Sequence, residues 1–303
     1  MCDIANHTDR RVCKKDLWVK PLSGMALSVN ITEMTSFLEA RMGNRAGLDV
    51  AIVGAGLVGL TAALQLQRAG MNVTIVEKGL IGTQQPRLSL TKVFSFCANL
   101  FQGVLTDRGA ALVPVLASEL GYIVSENSSS DRELQKTNEQ PVLLTDLARD
   151  LLKRCTDCGV RVFEQESVES LVIREGKVVG CHTSWGILLA DEVVVSAGIG
   201  GLPLLSSLGV VLPVIEGVNR LGASRARSDV PGVFSGTVPL TPDGRPYLGR
   251  PKGIDGLIVA VGHDVNPVAA LAVGEAIEQL ITDPIQMGNF IELYSLERDL
   301  LTK

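Results

Sequence analysis

Residues Asp49 to Gly59 read DVAIVGAGLVG. From Val50 to Val53 the run is apolar and rich in β-branched side chains, the composition of a strand buried on both faces. Glycines then stand at 54, 56 and 59, and LVGLTAALQLQRAG carries apolar residues at helical spacing until Gly70 stops it. NVTIVE, ending at Glu77, reads as a second strand. The whole is one strand–helix–strand unit of about 30 residues.

The glycine spacing has a physical reading. Gly54 permits a tight turn, Gly56 lets a pyrophosphate approach the backbone, and Gly59 lets helix and strand pack closely. The helix N-terminus, from Ala55 through Leu57 and Val58, offers N–H groups and a positive dipole end to phosphate. Ala63, Leu66, Gly70 and Val73 are expected to face the core. Glu77 closes the second strand, where a carboxylate accepts hydrogen bonds from both ribose hydroxyls of an adenosine and repels a 2′-phosphate. The unit therefore suits NAD or FAD and disfavours NADP.

The 303 residues suffice for one large domain or two modest ones. A net charge of −5 gives no general attraction to nucleic acid. The chain is 46% hydrophobic, yet no apolar run reaches the ~18 residues of a membrane span. MCDIANHTDRRVCKK lacks the apolar core of a signal peptide, so the cytoplasm is the expected location, with peripheral membrane contact left open. Cys155 and Cys158 form a lone C-x-x-C at the end of an expected helix, where no dipole lowers a thiol pKa, and no second pair completes a metal site. Helix-end packing is their expected role, and no metal is expected.

Along the chain, residues 1–46 form an appendage of weak periodicity. GAALVPVLASELGY is partly helical in pattern despite Pro114, and SENSSSDRELQKTNEQ reads as a polar loop. LLTDLARDLLKRCTDCG is a helix with Gly159 as its stop. Short strands follow at VRVFE, VESLVI, KVVGCHT and GILLA, with a hairpin turn at Glu175–Gly176. DEVVVSAG and DGLIVAVGHD are apolar strands ending in glycine, and the helix PVAALAVGEAIEQLI begins at Pro267.

An NAD dehydrogenase would continue directly into further parallel strand–helix units. Here the chain leaves the unit and returns late, a pattern that resembles the flavoprotein family of D-amino acid oxidases, glycine oxidases, sarcosine oxidases and D-amino acid dehydrogenases. The resemblance rests on VAIVGAGLVGLTAALQLQRAGMNVTIVEKG, on DLARDLLKRC through DEVVVSAG, on TPDGRPYLGR and on GLIVAVGHDVNPVAALAVGEAIEQLI. It implies an α/β fold: a Rossmann-like FAD-binding domain of the glutathione-reductase type. FAD would meet Gly54, Ala55, Gly56, Leu57, Val58, Gly59, Glu77 and Lys78, with Val168 at the adenine and Ala197, Gly198, Gly262, His263 and Asn266 completing the contacts. His263 is the only, weak, catalytic candidate. Asp243 and Arg245 are expected to form a turn and a salt bridge.

The sequence departs from that family in its substrate half. The connection from Leu212-Pro213-Val214, read as a strand, to Thr241 is far shorter than in relatives, so the antiparallel substrate-side sheet is expected to be reduced. Relatives that oxidise α-amino acids carry an arginine just before T-P-D-G, and Val238 stands there. Pro267 replaces a glycine whose N–H approaches the flavin, and proline has no N–H to give. The expected division is an FAD-binding domain at 47–85, 141–215 and 241–285, a reduced substrate region at 86–140 and 216–240, and a tail at 286–303. The expected function is oxidation of an amine or amino-acid-like small molecule. The alternatives are an FAD-binding non-catalytic subunit or degenerate paralogue in a larger complex and, last, an NAD module. The shortened region suggests a partner subunit or a second copy covering the flavin.

Overall fold

The computed structural model describes residues 18–19, 47–82, 103–126, 132–136, 140–221, 234–263, 267–284 and 291–298. A short strand β1 (Trp18–Val19) precedes the unit β2 (Asp49–Val53), α1 (Leu57–Arg68) and β3 (Asn72–Val76). Next come α2 (Val104–Leu120), β4 (Ile123–Glu126), β5 (Arg132–Lys136), β6 (Gln140–Pro141) and α3 (Leu144–Asp157). Strands β7 (Arg161–Phe163), β8 (Val168–Arg174), β9 (Lys177–Thr183), β10 (Gly186–Leu189) and β11 (Glu192–Val195) lead to a short α4 (Leu202–Ser206). The chain then forms β12 (Ile215–Leu221), β13 (Phe234–Leu240), β14 (Tyr247–Gly249), β15 (Leu257–Val261) and α5 (Pro267–Thr282).

The central sheet runs β14-β15-β11-β2-β3-β7. Its strands are parallel except β14, which pairs antiparallel with β15. Parallel strands need both faces covered, and the apolar side chains sort accordingly. Val50, Ile52, Val73 and Ile75 point into one core with α1, α2, α3 and α5. Ala51, Val53, Val193 and Val195 point into a second core with β8–β10 and α4. Backbone closeness shapes the helical layer: a Cβ at Gly274 of α5 would lie 2.7 Å from the Thr61 carbonyl carbon of α1, and the Thr61 hydroxyl donates to Ala270 O at 2.8 Å.

Several expectations meet the structure directly. Gly159 ends α3 at φ +97°, and Glu175 and Gly176 (φ 50° and 79°) make the left-handed turn between β8 and β9. Cys155 is buried, its thiol donates to Leu60 O at 3.4 Å, and burial pushes its pKa up to about 12. A buried, protonated thiol serves packing and is chemically inert.

Other readings are corrected. The polar run after Ser125 is no plain loop: β4, β5 and β6 form a three-stranded antiparallel sheet, with Ile123 opposite Gln135. Backbone pairing tolerates polar side chains when a sheet is small, and composition alone misses it. Gly70 is exposed at φ +83° rather than core-facing, while Ala63, Leu66 and Val73 are buried. Leu212–Val214 is not a strand; Val214 N–H turns back to Leu212 O at 2.8 Å and β12 starts at Ile215. The N-terminal appendage supplies β1, which pairs with β10 at the edge of β8–β9–β10. Within 86–140, α2 belongs to the helical layer with α1, α3 and α5: a Cβ at its Gly109 would lie 1.9 Å from Val268 O of α5.

Strands β12 and β13 pair only with each other among the described residues, from Ile215↔Leu240 to Leu221↔Phe234. The short connection thus holds a hairpin. Val211, Ile215 and Leu240 near its base are exposed. Among the described residues, no helix is long and apolar enough to cross a membrane.

Candidate functional site

The glycines of the β2–α1 turn differ in what surrounds them. Gly54 takes φ +98°, and a Cβ there would lie 2.7 Å from Ala197 Cα. At Gly59 a Cβ would lie 2.0 Å from Gly54 O and 2.9 Å from Ser196 Oγ. Gly56 has nothing within 4 Å of its hypothetical Cβ. Two glycines are therefore required by packing, and the middle one borders open space. Gly56 is also the N-cap of α1, with no side-chain cap and no acidic residue in the first turn. Helix N-termini need partners for their first N–H groups, and an anion is the natural one.

Glu77 lies just past β3. Its Oε2 accepts from Ala55 N–H at 2.8 Å and its Oε1 from Gly79 N–H at 2.8 Å. The carboxylate is thus held against the glycine turn, with lone pairs left for hydroxyl donors. The Glu77 backbone is stitched to the next strand: its N–H donates to Phe163 O at 2.9 Å, and its carbonyl accepts from Glu166 N–H at 2.9 Å. That places the start of β8, at Val168, beside the Glu77 strand end. On the other flank, Ser196 Oγ lies 3.2 Å from the carbonyls of both Val53 and Gly54, and Ala197 packs against the Gly54 turn, with Gly198 next in the chain. Lys78 is exposed and reaches toward Gly200.

The remaining expected residues divide. Gly262 ends β15 at φ +82°, where a Cβ would lie 2.6 Å from Thr241 Cγ2 and 3.5 Å from Pro246 Cα. The T-P-D-G turn is therefore packed onto the Gly262–His263 corner. His263 Nε2 is buried without a hydrogen-bond partner among the described residues, although part of the residue reaches the surface. Burial lowers its pKa to about 3, so the ring is neutral near pH 7 and offers a single donor or acceptor at each nitrogen. Asn266 lies outside the described residues. Val238 sits on β13 opposite Gly217.

The expected Asp243 turn is present, with Arg245 N–H donating to Asp243 Oδ1 at 3.1 Å. The Asp243 ion pair, however, is made by Arg298 and not by Arg245: Arg298 Nε and Nη2 donate to the two carboxylate oxygens at 2.8 and 2.9 Å. Arg298 holds the Asp243 carboxyl below its usual pKa. The sequence carries no short-range signal for a pairing across 55 residues. Glu166 was also missed. It is 1% exposed and accepts from Ser184 Oγ at 2.9 Å and Trp185 N–H at 3.0 Å, tying the β9–β10 turn to the β7–β8 corner.

An uncapped helix N-terminus, open space at Gly56 and a carboxylate oriented at the strand end are features that could hold an adenosine and a pyrophosphate. Residues 49–89 match the family model of FAD dependent oxidoreductase (DAO). The match spans the β2–α1–β3 unit and is confined to that segment. Solved structures agree on the fold. Glycine oxidase from Geobacillus kaustophilus superposes with TM-score 0.62 at 18% identity, covering 84% of this chain and 100% of its own. L-amino acid deaminase from Proteus vulgaris, with its specific insertion deleted, gives TM-score 0.61 at 16% identity, covering 84% and 94%. L-proline dehydrogenase from P. horikoshii gives TM-score 0.61 at 14% identity, covering 82% and 97%. No curated protein matches the chain. Gly54, Gly56, Gly59 and Glu77 all lie inside the matched segment.

Proposed function

We propose that this FAD-dependent oxidoreductase oxidises a small amine or amino-acid-like molecule at a CH–NH bond. The reading is supported by one juxtaposition above others: the T-P-D-G turn packs onto Gly262–His263 at the end of a strand in the same sheet that carries the FAD cradle. FAD held there would supply a two-electron acceptor for a hydride from a carbon bearing a neutral nitrogen. The nitrogen lone pair becomes part of a C=N bond, and water then hydrolyses the imine to a carbonyl compound and an amine. The chain's own work is placement. Gly54, Gly56 and Gly59 let the pyrophosphate reach the N–H groups of α1, and Glu77 fixes the ribose. Val168, Ala197 and Gly198 border the adenosine side. Gly262 and His263 form the flavin side, where neutral His263 supplies one hydrogen bond and no proton-transfer step is assigned to it.

On this reading Val238, at the position where α-amino-acid-oxidising relatives carry an arginine, narrows the substrate. A carboxylate facing valine loses an ion pair and two hydrogen bonds yet still sheds water, a cost of about several kcal/mol. Ordinary α-amino acids should therefore reduce the flavin slower by orders of magnitude than less charged amines do. Anaerobic mixing with glycine, sarcosine, proline and D-alanine, followed by flavin absorbance, checks this. Rapid bleaching by any of them at millimolar concentration would overturn the loss of carboxylate recognition. Loss of that bleaching in Arg220→Ala would then trace it to β12. If no amine bleaches the flavin, the proposed oxidation itself is wrong.

A further inference from the structure

The segment after α5 returns to the sheet edge. Tyr294 O accepts from Leu248 N–H at 2.8 Å, so this segment is bonded to β14. Tyr294 is buried in the helical core, and Leu296 packs against the opposite one. Arg298, four residues further on from Tyr294, has a side chain only 6% exposed. Besides both Asp243 oxygens, its guanidinium donates to Arg245 O at 2.7 Å, Pro246 O at 3.1 Å, Ser295 O at 3.1 Å and Tyr294 O at 3.4 Å. Its Cζ lies 3.8 Å from the centre of the Tyr247 ring. One side chain thus holds the side chain of residue 243 and the carbonyls of 245 and 246, and lies over the ring of 247.

That turn is the surface on which Gly262 rests: Thr241 Cγ2 and Pro246 Cα lie 2.6 and 3.5 Å from where a Cβ on Gly262 would stand. Protein interiors transmit displacement because they are close-packed. We infer that Arg298 is a positioning residue: by clamping the T-P-D-G turn it sets the placement of the Gly262–His263 corner at the flavin side of the site. The clamp also cancels the charge of Asp243 beside a corner where, on the proposed reading, negative charge builds up as the flavin is reduced. The inference rests on that reading for its link to the flavin, but its structural part does not require FAD. Arginine suits the task because its planar fork engages a carboxylate and several carbonyls at once, which a lysine ammonium cannot reproduce.

The test uses the full chain labelled at histidine. It has three histidines, His7, His182 and His263, so ring signals are few, and His263→Gln assigns the one of interest. In the apo protein, Arg298→Lys and Asp243→Asn should each shift or broaden the His263 ring signals and leave those of His182 in place. Arg250→Lys is the control. It weakens another two-point ion pair, to Glu192 at 2.8 and 3.0 Å, without touching the turn. It should leave His263 unchanged. In the FAD-loaded protein, Arg298→Lys should change the shape of the visible flavin band while FAD affinity stays within about threefold, since the adenosine grip lies elsewhere. Unmoved His263 signals in folded Arg298→Lys, or equal movement in Arg250→Lys, would overturn the positioning role. Moved His263 signals with an unaltered flavin band would overturn its extension to the flavin. A wild-type chain that takes up no FAD would instead refute the functional reading.

Discussion

Gly59→Ala should yield a less stable protein that purifies without flavin. Its new methyl would stand 2.0 Å from Gly54 O, a backbone atom that cannot rotate away, and 2.9 Å from Ser196 Oγ. Helix α1 must then move off the β2 turn. Overpacking of this kind costs about 1–3 kcal/mol, and each kcal/mol lowers Tm by roughly 2–4 °C in a domain of 150–250 residues. Gly56→Ala makes the informative comparison. Its methyl meets nothing within 4 Å in the chain itself, so Tm of the apo protein should not fall, yet the methyl enters the space assigned to the pyrophosphate. Flavin content should be lost in both variants, and apo stability in Gly59→Ala alone. Thermal melts of the apo proteins and flavin absorbance per chain decide it. Full flavin content in Gly56→Ala would mean that the pyrophosphate does not pass there.

Glu77→Ala should weaken FAD tenfold or more. The wild-type carboxylate accepts from Ala55 and Gly79 N–H groups and, in the proposed complex, from the ribose hydroxyls. Hydrogen bonds to a charged group contribute about 1.5–3 kcal/mol each, and about 1.4 kcal/mol is a factor of ten in affinity. Glu77→Gln should not restore the affinity. Its amide has one acceptor oxygen, and its NH2 group would face a backbone N–H where the wild type places an oxygen. FAD titration of the apo proteins by flavin fluorescence measures both. Unchanged affinity in Glu77→Ala would remove Glu77 from the ribose.

The parts of the fold legible in the sequence are those fixed by local rules. β2, α1 and β3 were readable because glycine spacing, strand composition and helical periodicity agree over one continuous stretch. Gly159, Glu175–Gly176 and Pro267 likewise act through their own backbone preferences. What stayed hidden depends on distant partners. Arg298 lies outside every motif, and its role arises only when the last described residues return to β14. Glu166 looks like a surface carboxylate until the β9–β10 turn brings Ser184 and Trp185 to it. The β4–β5–β6 sheet is built from polar residues whose pairing gives no apolar pattern. In the candidate site, the glycine turn and the strand end at Glu77 were legible almost residue by residue. The packing of Thr241 onto Gly262, which joins the T-P-D-G turn to the end of β15, was not.

The most direct measurement is the visible spectrum of the purified protein, followed by acid precipitation. With FAD held without a covalent bond at Gly54–Gly59 and Glu77, the protein should be yellow, with a flavin band near ~450 nm. The colour should pass wholly into the supernatant as FAD, one per chain. A colourless chain that takes up NAD but not FAD, or a flavin that stays with the precipitated protein, would contradict it.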